Sequence, residues 1–189
     1  MDLLSKIWIE AQESNKNPVE LLHIRKDLVK EFSWAVPTTK TIQKLVELGP
    51  IVEMGAGTGY WASQVKIAGG DIIAYDQNPP ANGLGGEGFG INLWQSNNEH
   101  GVVFKGTPID LKNHSDRALF LCWPPLNSLM AKKCLSYWKG DTLIYVGNEI
   151  NCADKHFYST LTDNFQLIET HSLPDWIGGD DWMTIWKLI

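Results

Sequence analysis

The most constraining feature of the chain is a short apolar run that leads into a glycine-rich turn, residues 51–59 (Ile-Val-Glu-Met-Gly-Ala-Gly-Thr-Gly). The apolar part predicts a buried strand, and the glycines permit a tight turn because glycine adopts left-handed backbone conformations readily. A helical segment at 60–68 and a second apolar run at 72–75 follow. A strand, a turn, a helix and a strand in this order predict two parallel strands joined by a crossover helix.

The rest of the chain continues this alternation. Further strands are predicted at 102–104, 118–122, 142–146, 165–170 and 182–188, which makes seven in all. Residues 173–181 are too few for a crossover between the last two strands, so these should form an antiparallel hairpin. The predicted fold class is therefore α/β: a Rossmann-like, seven-stranded, mostly parallel sheet with a C-terminal antiparallel hairpin. Helical patterns in residues 1–48 predict an N-terminal helical extension, which forms one globular unit with the ligand-binding domain at 49–189.

Composition and charge exclude several classes of protein. The chain of 189 residues has 22 acidic and 16 basic side chains and a net charge of -6, which disfavours general binding to nucleic acids. The three cysteines lack the spacing of a zinc site, and the five histidines are scattered, so no metal site is predicted. No apolar run has the length of a membrane span or of a signal peptide, so we expect a cytoplasmic protein without a membrane partner.

The glycine-rich turn and the residue that ends the next strand predict a nucleotide-type site. Asp76 follows the second strand, where its carboxylate can accept hydrogen bonds from ribose hydroxyls. Residues 57–62 also match the dinucleotide fingerprint Gly-x-Gly-x-x-Ala. S-adenosylmethionine is favoured over a dinucleotide because Glu53, two residues before the first glycine, would serve a phosphate poorly and can help to hold a cationic methionine end. The chain is also too short for a second mononucleotide half, and its last strands predict a hairpin.

These motifs resemble those of the class I S-adenosylmethionine-dependent methyltransferases, over most of the chain from Gly49 to Ile189. The chain looks most similar to a poorly characterised group with two characteristic runs, Trp34-Ala35-Val36-Pro37 and Leu121-Cys122-Trp123-Pro124-Pro125. The resemblance implies S-adenosylmethionine as cofactor and a methyl acceptor that is a small molecule or a protein. The implied cofactor-binding residues are Glu53, Gly55, Ala56, Gly57, Gly59, Asp76, Thr107 and Cys122.

The run after the fourth strand departs from a familiar pattern. Amino-methyltransferases of this superfamily hold the target nitrogen with Asn or Asp, followed by Pro-Pro and an aromatic residue. Here Trp123 and Leu126 occupy the first and last of these positions, so both chemical roles are absent. Trp123 could instead form, with Trp34, aromatic walls of one pocket, or it could be a packed side chain in a rigid turn. The candidate substrate-binding residues are Trp34, Trp123, Pro124, Glu149 and His156.

Several alternatives remain open from the sequence. No catalytic residue is predicted, and the acceptor atom, the acceptor's identity and the oligomeric state are not determined. A non-catalytic cofactor-binding or regulatory module is an alternative function, and an NAD(P)-dependent oxidoreductase is another. Residues 78–100 contain five closely spaced glycines, which exclude a stable crossover helix and predict either a lid or a plain surface insertion.

Overall fold

A computed structural model describes residues 2–80, 100–176 and 179–189 of the chain. The strands are β1 (Ile51–Met54), β2 (Ile72–Asp76), β3 (Phe104–Lys105), β4 (Ala118–Cys122), β5 (Thr142–Gly147), β6 (Phe165–Ser172) and β7 (Trp182–Leu188). The helices are α1 (Leu3–Glu13), α2 (Pro18–Glu31), α3 (Thr39–Leu48), α4 (Tyr60–Ile67), α5 (Met130–Tyr137) and α6 (Lys155–Asn164), with a 3-10 helix at Pro108–Asn113.

The seven strands form one sheet in the order β3-β2-β1-β4-β5-β7-β6. Strands β1 to β5 are parallel, and β7 is antiparallel to both β5 and β6. The predicted Rossmann-like sheet and its C-terminal hairpin are therefore confirmed. The physical basis is visible in β1 and β5, which are buried along their whole length, as strands covered by helices on both faces must be.

The edge of the sheet at β3 differs from the sequence expectation. The strand spans Phe104–Lys105 rather than 102–104, because only these two residues pair with β2, through Tyr75 and Asp76. Val103, which the prediction counted as part of the strand, is buried before the strand begins. The 3-10 helix that follows was not predicted. An edge strand has one neighbour, so its limits depend on local packing more than on its own apolar pattern.

The first two helices form a layer with a hydrophobic cluster of their own. Trp8 of α1 and Phe32, which follows α2, pack in this cluster together with Tyr60 of α4 and Trp176 of the β6–β7 connection. The Tyr60 hydroxyl accepts a hydrogen bond from the Leu4 backbone N–H at 3.0 Å. Helix α3 instead packs in the main core of the sheet. The layer of α1 and α2 thus lies over the start of α4, at the carboxyl edge of the sheet.

The predicted lid or insertion at 78–100 lies, for residues 81–99, outside the described residues. His100 is described: its ring stacks on Phe32 with centroids 5.0 Å apart, and its backbone N–H donates to the Thr58 carbonyl at 2.9 Å. The chain therefore rejoins the described structure against the end of α2. Among the described helices, none is long and apolar enough to cross a membrane.

Candidate active site

A cavity of about 580 Å³ opens at the carboxyl edge of the sheet, next to the ends of β1, β2 and β4. Helix α2 and the segment after it close one side, so the cavity lies between the sheet and the N-terminal layer. This is the edge at which ligands bind in open α/β sheets. The predicted site residues that line the cavity are Trp34, Glu53, Gly55, Ala56, Gly57, Asp76, Cys122, Trp123 and Pro124.

Asp76 shapes the glycine-rich turn through its own carboxylate. Its Oδ2 accepts a hydrogen bond from the Gly57 backbone N–H at 2.9 Å, and its Oδ1 accepts one from the Asn78 N–H at 2.8 Å. Burial raises the pKa of Asp76, while these two hydrogen bonds act in the opposite direction. Each oxygen can still accept another hydrogen bond, so the carboxylate both holds the turn and faces the cavity.

The glycines of the turn have different surroundings. Gly55, Gly57 and Gly59 all have positive φ, at 82°, 57° and 75°. The first and second line the cavity, whereas Gly59 lies outside it. A Cβ on Gly59 would approach Val103 Cγ2 to 2.7 Å and the Gly101 carbonyl oxygen to 3.1 Å. The packing of Val103 and Gly101 against the turn therefore requires glycine at position 59.

Glu53 is a buried acid in the cavity wall. It belongs to β1, is 1% exposed, and its Oε2 has no hydrogen-bond partner among the described residues. Burial, followed by repulsion from Asp76, raises the pKa of Glu53 to about 8. A buried carboxyl without a partner is unfavourable when it is ionised. The carboxyl is therefore available to a cationic or N–H donor group of a ligand.

Trp34 and Trp123 form a stacked aromatic pair on one side of the cavity, with ring centroids 5.1 Å apart and planes inclined by 28°. Trp123 has a φ of 49°, in the left-handed region that a bulky residue seldom adopts. Its backbone N–H donates to the Val146 carbonyl at 2.8 Å, and its indole Nε1–H donates to Asp181 Oδ2 at 2.9 Å. The sequence hypothesis placed both indoles in one pocket; the structure makes them a single stacked wall.

Asp181, which sequence reasoning did not single out, is the acceptor that holds this wall. It is 2% exposed and lies just before β7. Its Oδ1 accepts a hydrogen bond from Asn148 Nδ2 at 2.9 Å, beside the bond from Trp123 to Oδ2. The nearby Trp176 indole N–H donates to the Trp34 carbonyl at 2.6 Å. The β6–β7 connection therefore holds both members of the aromatic pair. An acid between aromatic residues was the only sequence signal of this role.

Besides Gly59, three predicted residues do not line the cavity: Thr107, Glu149 and His156. Thr107 is exposed and caps the 3-10 helix, where its N–H donates to Asp110 Oδ2 at 2.7 Å; its neighbours Gly106 and Pro108 line the cavity instead. Glu149, in the loop after β5, and His156, in the first turn of α6, are both exposed and do not line the cavity. Asn151 of the same loop lines it instead.

The cysteines offer no thiolate to the site. Cys122 is partly exposed at the cavity, and burial, with Glu53 as the next cause, raises the pKa of its thiol well above the usual value. Cys152 is buried, and burial raises the pKa of its thiol to about 12. Nucleophilic cysteines have lowered pKa values, so both thiols are suited to packing. Within the described ranges, no group of His, Cys, Asp and Glu is arranged to hold a metal ion.

Further polar residues line the cavity that the sequence did not identify. Arg25 of α2, Ser33 after that helix and Asn151 after β5 all contribute to its wall. Residue spacing carries no signal for them, because each reaches the cavity through the packing of the N-terminal layer or of a loop.

Comparison with known proteins finds likeness in structure alone. No family model matches the chain, and no curated protein matches it. A structure solved in work on the conversion of a disulfide bond into a thioacetal group during echinomycin biosynthesis has a TM-score of 0.50 and 11% identity, over 82% of each chain. Magnesium protoporphyrin IX methyltransferase from Synechocystis PCC 6803 with bound SAM has a TM-score of 0.46 and 10% identity, over 79% of this chain and 77% of that one. TrmK of M. capricolum in complex with S-adenosyl-homocysteine has a TM-score of 0.43 and 11% identity, over 81% of this chain and 69% of that one. These are likenesses of fold.

Proposed function

We propose that this protein is an S-adenosylmethionine-dependent methyltransferase. The observation that carries the proposal is the buried carboxyl of Glu53 in the wall of the cavity, whose Oε2 has no hydrogen-bond partner in the described part of the chain. An ammonium group is a suitable partner for such a carboxyl, since it supplies hydrogen bonds and an opposite charge. The amino group of the cofactor's methionine part has this chemistry.

The other cavity residues fit the remaining parts of this cofactor. Asp76 has acceptor capacity for ribose hydroxyls at the end of β2, and the backbone of Gly55 and Gly57 lies open beside it. The Trp34–Trp123 pair offers aromatic faces, which attract a sulfonium by cation–π interaction.

The same residues disfavour a dinucleotide. A pyrophosphate bound at the glycine-rich turn would lie beside the carboxyl groups of Glu53 and Asp76, both of which face the cavity. Ionised carboxylates repel phosphate. Protonation of Glu53 would remove its repulsion, but the repulsion from Asp76 would remain. A cationic cofactor gains from both groups.

The chain's own contribution to methyl transfer would be alignment and exclusion of water. S-adenosylmethionine, when bound, supplies an electrophilic methyl group. The indole N–H of Trp123 is already bonded to Asp181, so this side chain offers a flat face rather than a hydrogen bond to an acceptor. Orientation of two reactants in a closed site is a large catalytic effect by itself. The acceptor is a small molecule or a protein side chain.

The proposal is tested by calorimetry of the purified protein with S-adenosylmethionine, S-adenosylhomocysteine and NADH. We expect both adenosyl ligands to bind. Glu53→Gln should lower the affinity for S-adenosylmethionine by about 10- to 100-fold, as expected for the loss of a charged hydrogen bond. Glu169→Gln is the matched control, since this half-buried residue on β6 is paired with Lys44 and does not line the cavity. Binding of NADH in preference to both adenosyl ligands would contradict the proposal.

Turnover needs a separate measurement, which also separates an enzyme from a regulatory module. Extracts are incubated with S-adenosylmethionine that carries a labelled methyl group, and the label is followed into other molecules. Transfer that requires the wild-type protein, and that Asp76→Ala reduces, supports an enzyme. Tight cofactor binding with no transfer to any extract would favour the binding module.

A further inference from the structure

We infer that Arg25 binds an anionic group of the methyl acceptor, and that the acceptor is therefore a flat molecule with a carboxylate or a phosphate. This inference rests on the proposed function, because it assigns the second ligand of the same cavity. It begins from a cation that the fold brings to the cavity and that forms no ion pair with any carboxylate of residues 2–80, 100–176 and 179–189.

Arg25 lies on α2 and lines the cavity. Its Nε is buried and has no hydrogen-bond partner among the described residues. Its guanidinium carbon lies over the Trp176 ring, 6.0 Å from the centroid, and no carboxylate of the described chain forms an ion pair with it. A guanidinium is planar and presents its N–H donors as a fork, which suits two-point binding of a carboxylate or phosphate.

The electrostatic surroundings leave this charge available. Asp181 is close enough for the guanidinium to lower its pKa, although burial of Asp181 has the larger and opposite effect. Both Asp181 oxygens already accept hydrogen bonds, from Trp123 and Asn148. Asp181 therefore holds the aromatic wall, and among the described residues it forms no ion pair with Arg25.

The position of Arg25 along the sheet points to the acceptor and not to the cofactor. Asp76 ends β2, whereas Arg25 lies over Trp176 of the connection that leads into β7, four strand positions away. At a spacing of ~4.8 Å per strand, the two sheet positions are roughly 19 Å apart. A cofactor with its ribose at Asp76 and its amino group at Glu53 of β1 covers the β2–β1 half. Arg25 instead lies over Trp176, whose indole N–H holds the Trp34 carbonyl at the aromatic pair.

The aromatic pair completes the description of the acceptor. It presents a flat apolar face to the cavity that Arg25 also lines, so a planar group stacked there would share the cavity with the guanidinium. Ser33 and Asn151 add neutral polar groups to the same wall. A flat group with an anionic substituent matches these surfaces.

The inference is tested with matched pairs of anionic and neutral aromatic probes. The protein is first saturated with S-adenosylhomocysteine, and calorimetry then compares benzoate with benzamide, naphthoate with naphthamide, and phenyl phosphate with phenol. We expect an anion to bind about 10- to 100-fold tighter than its neutral partner, as for a charge-assisted hydrogen bond. The carboxylate and phosphate pairs distinguish the two sources of negative charge.

Variants on one helix provide the decisive comparison. Arg25→Gln should remove the preference for the anion, and Arg25→Lys should restore part of it. Lys26→Gln, which removes the same charge from the neighbouring exposed position, should leave the preference intact. S-adenosylhomocysteine should bind all of these proteins equally.

Three results would overturn the inference. The first is equal binding of anion and neutral partner in every pair, or no binding of either. The second is an anion preference that survives Arg25→Gln. The third is a loss of S-adenosylhomocysteine affinity in Arg25→Gln, which would assign Arg25 to the cofactor's own carboxylate. Failure of the proposed function is seen earlier and separately, as absence of S-adenosylhomocysteine binding to the wild-type protein.

Discussion

The indole rings of Trp34 and Trp123 stack directly on each other in the wall of the candidate active site, with centroids 5.1 Å apart. One ring comes from the segment between α2 and α3, and the other follows β4. The β6–β7 connection holds both, through the Trp176 bond to the Trp34 carbonyl and the Asp181 bond to the Trp123 indole. The shape of the cavity therefore depends on three parts of the chain that are distant in sequence.

Trp123→Phe should lower both the stability of the protein and the stabilisation that the cofactor adds. The variant loses the indole donor to the buried Asp181, at a cost of about 1–3 kcal/mol, and narrows the aromatic face of the cavity. Thermal melts with and without S-adenosylmethionine measure both effects. Trp138→Phe is the matched control: it loses a similar indole bond, to the Arg117 carbonyl, away from the cavity, and should melt early with a full ligand shift. A full ligand shift in Trp123→Phe as well would identify Trp123 as a packing residue.

Glu53→Gln should stabilise the free protein increasingly as the pH rises. The folded-state pKa of Glu53, about 8, lies above its ordinary value of 4.5, so the folded state binds more protons than the unfolded state between these pH values. Wild-type stability is therefore lost as the pH rises through this window, by up to about 1.4 kcal/mol per pH unit from this one group. Glutamine has no such proton. Denaturant titrations of both proteins across the window measure the difference, and a constant difference would show that Glu53 has an ordinary pKa.

Binding of S-adenosylmethionine should release a proton from Glu53. The ammonium group favours the ionised carboxyl, which is mostly protonated in the free protein below its pKa of about 8. Calorimetry in buffers with different ionisation enthalpies should find release approaching one proton near pH 7 and little above pH 9, by the same linkage. Glu53→Gln should abolish this release. Equal proton release from both proteins would mean that another group titrates.

Asp76→Ala should weaken both cofactor binding and the fold. The ribose loses its acceptor, which should reduce affinity about 10- to 100-fold, and the backbone N–H groups of Gly57 and Asn78 lose theirs. Asp71→Ala is the control. Asp71 directly precedes β2, so it lies at the opposite end of that strand from Asp76. Asp71 forms an exposed ion pair with Arg117, so its loss should change cofactor affinity little. Unchanged affinity in Asp76→Ala would remove the ribose site from the proposed function.

Gly59→Ala should destabilise the protein more than Gly69→Ala. Both glycines have positive φ, so backbone strain of about 1–2 kcal/mol is common to the two variants. A Cβ at position 59 would also meet Val103 Cγ2 at 2.7 Å, whereas one at position 69 would meet nothing within 4 Å. Chemical denaturation measures the difference. Equal losses of stability would mean that Val103 moves aside without penalty.

The sequence by itself determined the sheet and the location of the site on it. Continuous apolar strands predict burial on both faces and hence parallel pairing, as β1 and β5 confirm. The short 173–181 connection excluded a crossover and predicted the final hairpin. Asp76 and the glycine-rich turn were expected to meet because the carboxyl ends of adjacent parallel strands lie at one edge. Each of these conclusions follows from local periodicity, chain length or strand direction.

Only the tertiary structure decided which side chains form the walls of the cavity. Glu149 and His156 follow the correct strand but are exposed, whereas Arg25 reaches the cavity from a helix whose spacing gave no functional signal. Gly59 belongs to the predicted motif and is required by packing against Val103. Local pattern specifies the element and the face on which a residue lies, but contacts between distant segments depend on how whole helices and loops pack together. The Trp34–Trp123 stack, held by Trp176 and Asp181, is the clearest product of that packing.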